Sequence, residues 1–293
     1  VLSPFYAAPT TVNAIDQSSA RYGGTLRIGY TKDPIGWNGI INYRSTSAYP
    51  ARAVFNKIYT YDDLYNIVGD VMKDFPTITS EPGYPNVYTM ELERGILWHD
   101  GTPMTAKDVY FTFETLVFGA QNKPGISADV NDRLDQVAYM VGVLLRNCDK
   151  IEMVDDYTLK FYFTEVQLPR WLAEYHANFN IIPYHLWKDF NKNNPIGQTF
   201  EDNMFNDAPV GSGPYKMMEH VRDQYVIMER FDDYFRGVPY LKTLLWSINP
   251  DPVSLTLALE NAEIDTIHEN SEFPQAEITR INSDPQFSVD AFP

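Results

Sequence analysis

The stretch NVYTMELERGILWHDGTPMTAKDVYFTFE, residues 86–114, constrains the fold more than any other. Tyr88, Met90 and Leu92 alternate with Thr89, Glu91 and Glu93, the period of two that a half-buried strand requires. Asp100-Gly101 then supplies a turn, and Thr105 stands where a helix N-cap belongs. The Thr105 hydroxyl can accept the backbone N–H three residues on, and Asp108 suits the positive end of a helix. Asp at that third position departs from the Glu or Gln of a strict capping box. Val109, Phe113, Leu116 and Val117 follow as an apolar stripe. The block reads as a strand–turn–helix corner.

Other segments carry the same two periods. Thr25, Arg27 and Gly29 alternate with Leu26, Ile28 and Tyr30, a strand that runs into a loop at TKDPIGWNG. AYPARAVFNKIYT places Ala53 and Ile58 at helical spacing. KIEMVDDYTLKFYF reads as a hairpin turning at Asp155-Asp156, with Leu159, Phe161 and Phe163 alternating beyond it. The segment from Pro169 to Phe190 is helical, broken at Pro183. A second hairpin, with polar HVRDQ at its tip, follows APVGSGPYK, and VSLTLALENAEIDTI reads as a helix ending near Asn261 before a short strand. Residues 1–21 lack a period and read as a flexible arm or tether, and residues 119–135 read as a loop. Strands and helices mix without regular alternation, which argues against a simple doubly wound sheet.

The chemistry implied is sparse. With 23 basic against 39 acidic residues, the net charge of −16 repels nucleic acid and anionic membranes. One cysteine, Cys148, rules out a disulfide within these residues and reads as a small buried hydrophobe. No apolar run reaches membrane-spanning length, and the first residues lack a signal-peptide pattern, so the chain is expected to be cytosolic or already processed. His99 and Asp100 are adjacent and would point to opposite faces of a strand, which suits a turn better than a catalytic pair. The five histidines never approach H-E-x-x-H spacing, so no metal or other cofactor is expected. VGSGPYK lacks the Lys-Ser/Thr of a phosphate loop, and Pro214 removes a donor such a loop would use. The dyads Asp62-Asp63, Asp155-Asp156 and Asp232-Asp233 sit in turn contexts rather than as the paired acids of a glycoside hydrolase. No catalytic residue is assigned, and the chain is read as a non-enzyme.

Taken in order, GGTLRIGYTKDPIGWN, the 88–114 block, IEMVDDYTLKFYF, PVGSGPYKM, ERFDDYFRGVPYLKTLLW and LALENAEIDTI resemble the family 5 extracellular solute-binding proteins of ABC importers, the oligopeptide- and dipeptide-binding group. The resemblance covers about residues 22 to 293. It implies an α/β fold of the type II periplasmic-binding class with a mixed sheet, of which this chain carries the first lobe while the second lobe is absent. On this view residues 22–55 and 205–270 form a discontinuous core subdomain of lobe I, 56–204 an inserted subdomain, and 271–293 the start of a crossover. The chain is then expected to be a fragment. Two lobes of such a clamp close on a solute and present it to a membrane permease. By resemblance, Lys32, Asp33, Pro34 and Ile35 contribute backbone groups to the cleft, His268, Glu269 and Asn270 border it, and Trp37 either lines it or joins the core. The resemblance implies a monomeric, extracytoplasmic receptor for a small solute, a peptide before an oligosaccharide or nickel complex. A glycoside hydrolase, or an adaptor that kept the fold without ligand binding, are the alternatives from other classes.

Overall fold

A computed structural model describes residues 22–34, 36–37, 48–62, 64, 66–117, 147–166, 180–188, 208–268 and 273–289. The expected arm at 1–21, the loop at 119–135, most of the helix before Pro183, and the site candidates Ile35, Glu269 and Asn270 lie outside the described residues.

The first half of the chain forms β1 (Thr25–Tyr30), α1 (Ala48–Val54), β2 (Tyr59–Tyr61), β3 (Ile67–Gly69), β4 (Thr77–Glu81), β5 (Tyr84–Glu91) and α2 (Ala106–Val117). Then come β6 (Cys148–Asp155), β7 (Thr158–Phe163), α3 (Tyr184–Trp187), β8 (Tyr215–Val221) and β9 (Tyr225–Arg230). The last described elements are β10 (Thr243–Ile248), α4 (Pro252–Glu260), β11 (Thr266–Ile267) and α5 (Gln275–Ser283).

A four-stranded antiparallel sheet in the order β4-β5-β7-β6 is built from local hairpins. Tyr88, Met90, Leu159, Phe161 and Phe163 bury one face of it against Trp98 and Phe113 of the corner and α2. That corner forms as the sequence predicts, with one refinement. The Thr105 hydroxyl accepts from Lys107 N, two residues on rather than three, at 3.3 Å. Asp108 Oδ2 reaches back to Thr105 N at 2.8 Å, so Asp performs the reciprocal bond that Glu makes in a capping box. Its other oxygen accepts from Tyr184 N at 2.8 Å, which fastens α3 to the start of α2.

The second sheet is mixed, in the order β11-β1-β10-β9-β8. β1 lies parallel between β10 and β11, while β10, β9 and β8 run antiparallel to one another. This central position changes the meaning of the period-two pattern in β1, because Ile28, Gly29 and Tyr30 are all buried. Ile28 and Tyr30 face Ala51, Val54 and Trp246, whereas a Cβ at Gly29 would come within 2.9 Å of Leu255 on α4. Helices therefore cover both faces. Ile58 is not helical as its spacing predicts; α1 stops at Val54, and Tyr59 begins β2, which pairs with β3.

His99 joins the two sheets. Its Nδ1 accepts from Gly211 N at 3.2 Å, its Nε2 donates to Gly213 O at 3.0 Å, and Lys216 Nζ donates to its carbonyl at 2.8 Å. The glycines of VGSGP serve packing. A Cβ at Gly211 would stand 1.8 Å from the Val54 carbonyl oxygen, and Gly213 N donates to that same oxygen at 2.9 Å. Beside them Ser212, Asn56 and Asp70 form a buried polar chain, in which Ser212 Oγ donates to Asn56 Oδ1 at 3.2 Å, Asn56 Nδ2 donates to Asp70 Oδ1 at 2.8 Å and Lys57 N donates to Asp70 Oδ2 at 2.7 Å. Burial pushes the Asp70 carboxyl above its ordinary value.

Candidate functional site at the ends of the parallel strands

Open α/β sheets bind ligands beyond the carboxyl ends of their parallel strands, where the following loops expose backbone groups. In this molecule β1, β10 and β11 end side by side, with Tyr30 opposite Ile248 and Gly29 opposite Ile267. The continuing chain is tied to the same edge: Asn249 N donates to Tyr30 O at 2.9 Å and His268 N to Gly29 O at 3.0 Å. Thr31 and His268 thus leave the sheet side by side, and of the site residues expected from the sequence Lys32, Asp33, Pro34, Trp37 and His268 are described.

An aromatic wall stands at this edge. The His268 ring lies 4.4 Å from Tyr49, 5.9 Å from Trp246 and 6.1 Å from Tyr30, centroid to centroid. Arg52 places its guanidinium 5.0 Å from the Tyr49 ring centre, so a cation borders the aromatic surface. The Trp246 indole N–H is buried and has no hydrogen-bond partner among the described residues. Tyr30 and Trp246 are buried, so what this edge presents is the half-buried Tyr49 and His268 rings with the exposed Arg52 beside them.

The loop after β1 is fixed elsewhere. Asp33 Oδ1 accepts from His220 Nε2 at 2.8 Å, and its Oδ2 lies 3.4 Å from Arg222 Nη1. Arg222 also donates to the Pro34 carbonyl. Trp37 is 1% exposed and donates its indole N–H to His220 Nδ1 at 3.0 Å. Asp33 and Trp37 therefore turn their side chains to the β8–β9 hairpin end, and Lys32 is half-buried at the turn between them and β1. The structure brings His268 to the root of this loop through Gly29 and Tyr30, and brings Asp33 to Trp37 through His220. Sequence reasoning missed Tyr49, Arg52, Trp246, His220 and Arg222. Trp246 stood in the alternating run TLLWSI, and His220 and Arg222 were read only as polar residues of a hairpin tip.

The histidines and acid pairs singled out earlier have local structural duties. Burial pushes His99 down to about 4, consistent with a ring that accepts at one nitrogen and donates at the other. His185 Nε2 lies 2.7 Å from Asp100 Oδ2. Partial burial works against the Asp100 charge, yet the bonds from His185 and Thr102 hold its carboxyl below the ordinary value. Asp62 accepts from the Leu64 and Asn66 amides, Asp155 from Tyr157 N, and Asp232 pairs with Arg230, each within its own turn. Among the described residues, no three His, Cys, Asp or Glu side chains converge as a metal site, and no helix is long and apolar enough to cross a membrane.

Comparison with known proteins places this arrangement. The family model described as bacterial extracellular solute-binding proteins, family 5 Middle, matches residues 84–293. A Brucella ovis protein named as an ABC transporter peptide-binding protein is 27% identical over 289 residues, 98% of this chain and 47% of that protein. The oligopeptide-binding protein AppA of Bacillus subtilis, solved in complex with a nonapeptide, matches with a TM-score of 0.67 and 23% identity over 84% of this chain and 44% of its own. The ABC transporter substrate-binding protein CtaP of Listeria monocytogenes matches with a TM-score of 0.62 and 31% identity, over 83% of this chain and 44% of its own. The chain spans about half the length of the curated relatives it matches. Its α/β architecture with a mixed sheet is that of the type II periplasmic peptide-binding proteins. These relatives are solute-binding proteins rather than enzymes, and the chain belongs to the bacterial extracellular solute-binding proteins, family 5.

Proposed function

We propose that this chain supplies one wall of the solute cleft in an extracytoplasmic receptor of an ABC importer, that the solute is an oligopeptide, and that the receptor works as a monomer delivering it to a membrane permease. The observation that carries this is the convergence of the β1 and β11 loops on one sheet edge beside Tyr30, Tyr49, Trp246 and His268. A peptide suits such an edge because its amides can pair with loop backbone groups while its side chains pack against the half-buried Tyr49 and His268. Lys32, Asp33, Pro34 and Ile35 supply backbone contacts on this reading, and His268, Glu269 and Asn270 border the cleft. Residues 22–55 with 205–270 then act as the cleft-bearing subdomain, 56–204 as its insertion, and 271–293 as the way to the opposing wall. The peptide-binding names of the Brucella and Bacillus relatives support the choice of solute.

Thermal denaturation against graded concentrations of mixed oligopeptides, xylo-oligosaccharides and nickel–histidine tests the reading. Solute that binds only the folded state at a hundred times its Kd adds about 2.7 kcal/mol of stability. One wall buries less solute than two, so concentrations up to the millimolar range are needed. A midpoint rise with peptides alone is expected. A rise with sugar or nickel alone would replace the solute, and no rise with any of them would remove the reading.

A further inference from the structure

We infer that His220 is a positioning residue that sets the solute-contacting loop after β1, without itself touching solute. The inference rests on the cleft reading above for what the loop does, but on hydrogen-bond geometry for how it is held. Tryptophan's indole nitrogen can only donate, so the 3.0 Å contact from Trp37 Nε1 makes His220 Nδ1 an acceptor. The ring proton then sits on Nε2, which donates to Asp33 Oδ1 at 2.8 Å. One imidazole in one tautomer thereby spans two residues of the same loop. Its side chain is 5% exposed and that of Asp33 15%, so both bonds are shielded from water. The Trp37 and His220 rings also meet edge to face, with centroids 5.7 Å apart. Arg222, two residues on, holds Asp33 and the Pro34 carbonyl. The loop is thus fastened by the β8–β9 hairpin, from the far side of the same sheet, at three of its residues.

A break in strand register delivers His220 to this place. Met217 pairs with Met228, but Glu219 pairs with Ile227, which leaves Met218 as the extra residue of a β-bulge. In unbroken alternation Met217 and Glu219 would share the core face, and His220 would point away from it. With the bulge, Glu219 and Met218 are exposed and His220 stands opposite buried Val226, on the face that carries Trp37. Bulges re-aim side chains in this way beside functional sites.

Three variants test this: His220→Ala, which removes both bonds; His220→Asn, whose amide oxygen keeps an acceptor near Nδ1; and His220→Gln, whose amide keeps a donor near Nε2. The loop is read directly by NMR, from the Trp37 indole N–H (assigned with Trp37→Phe) and the amides of residues 31–37. Peptide affinity is measured on the same samples. In His220→Ala the indole signal should move toward its solvent position and the loop amides should shift, while the amides of the four-stranded sheet stay put. Asn should restore the indole signal and Gln should not. Affinity should fall about ten- to a hundredfold in the Ala variant, by analogy with losing the outer partners that orient metal ligands. Loop amides unmoved by all three substitutions would overturn the inference, whatever the affinity does. Loop amides that move while the wild type binds no peptide would instead remove the peptide reading and leave His220's positioning role standing. An Ala variant too unstable to study leaves the Asn–Gln contrast at the indole to decide, and equal signals in those two would count against His220.

Discussion

Acid should destabilise this protein through His99. Burial pushes its imidazole down to about 4, against the bond from Nε2 to Gly213 O, which favours the charged ring; a proton on Nδ1 would also break the bond it accepts from Gly211 N. The Lys216 ammonium, bonded to the His99 carbonyl at 2.8 Å, further disfavours a charged ring. In the unfolded chain the same side chain titrates near 6.5. Between these two values the unfolded chain binds a proton that the folded one refuses, so stability rises with pH across the window. The His99 contribution is fully present above about pH 6.5, is lost progressively as pH falls, and levels off below about pH 4. The window is about two and a half pH units wide at ~1.4 kcal/mol each, which amounts to ~3.5 kcal/mol in all, of which ~3 kcal/mol is lost by about pH 4. Urea denaturation of the wild type and His99→Asn, at steps from about pH 7 to about pH 4, isolates this quantity. The Asn amide keeps an acceptor near Nδ1 but cannot titrate, and the other histidines and carboxylates cancel in the difference. The advantage of the wild type should shrink by ~3 kcal/mol over the series. A difference that stays level across the whole range would refute the argument.

Gly211→Ala should cost about 3 kcal/mol in the same urea assay, since its Cβ would lie 1.8 Å from backbone oxygen at Val54. Gly83→Ala, in open space with φ at 87°, should cost only about 1 kcal/mol, and equal losses would show that the Val54 contact is not what requires Gly211. Asp108→Ala removes acceptors from both Thr105 N and Tyr184 N and should lose about 2–3 kcal/mol, whereas a loss under about 0.5 kcal/mol would mean water replaces both bonds. Burial pushes the Cys148 thiol up to about 12, so a maleimide near neutral pH should label the folded protein far more slowly than the protein in urea. Equal labelling rates in the two states would contradict that.

What could be read from the sequence was what neighbours in the chain decide. The β5–α2 corner, both hairpins and the α4–β11 unit were legible because alternation, turn residues and caps act within about ten residues. Asp251 illustrates the point: its carboxylate accepts from Val253 N and Ser254 N and starts α4 locally. The ends of elements held less well. The turn of the first hairpin is Asp156-Tyr157 rather than Asp155-Asp156, and Ile58 left its helical period because Ile58 O and Lys57 O accept from Asp70 N and Val71 N in the β2–β3 pairing. Pairings over long separations could not be read. Nothing in TLRIGY names TLLWSI as its neighbour, and the bulge at Met218 leaves no local mark in YKMMEHV. The same limit governs the site. Asp33 and Trp37 stand in a loop that the family resemblance points to, but the imidazole between them comes from 183 residues beyond Trp37.

The central position of β1 also sets a timetable for the chain. Arg27 forms a three-bond contact with the Asp265 carboxylate, 238 residues downstream, so the sheet's first strand is made long before its flanking partners exist. At ribosomal speeds of roughly 5–20 residues per second, β1 waits roughly ten to fifty seconds for them. Closing so long a loop is also slow, because its entropy is lost before the strand pairs reward it. The β4–β7 sheet needs no such wait, its strands all lying between Thr77 and Phe163. Synthesis therefore yields a nascent chain with one half able to compact early and the other kept open until β10 and β11 emerge. In that interval Ile28 and Tyr30 are uncovered apolar surface, which the finished protein conceals.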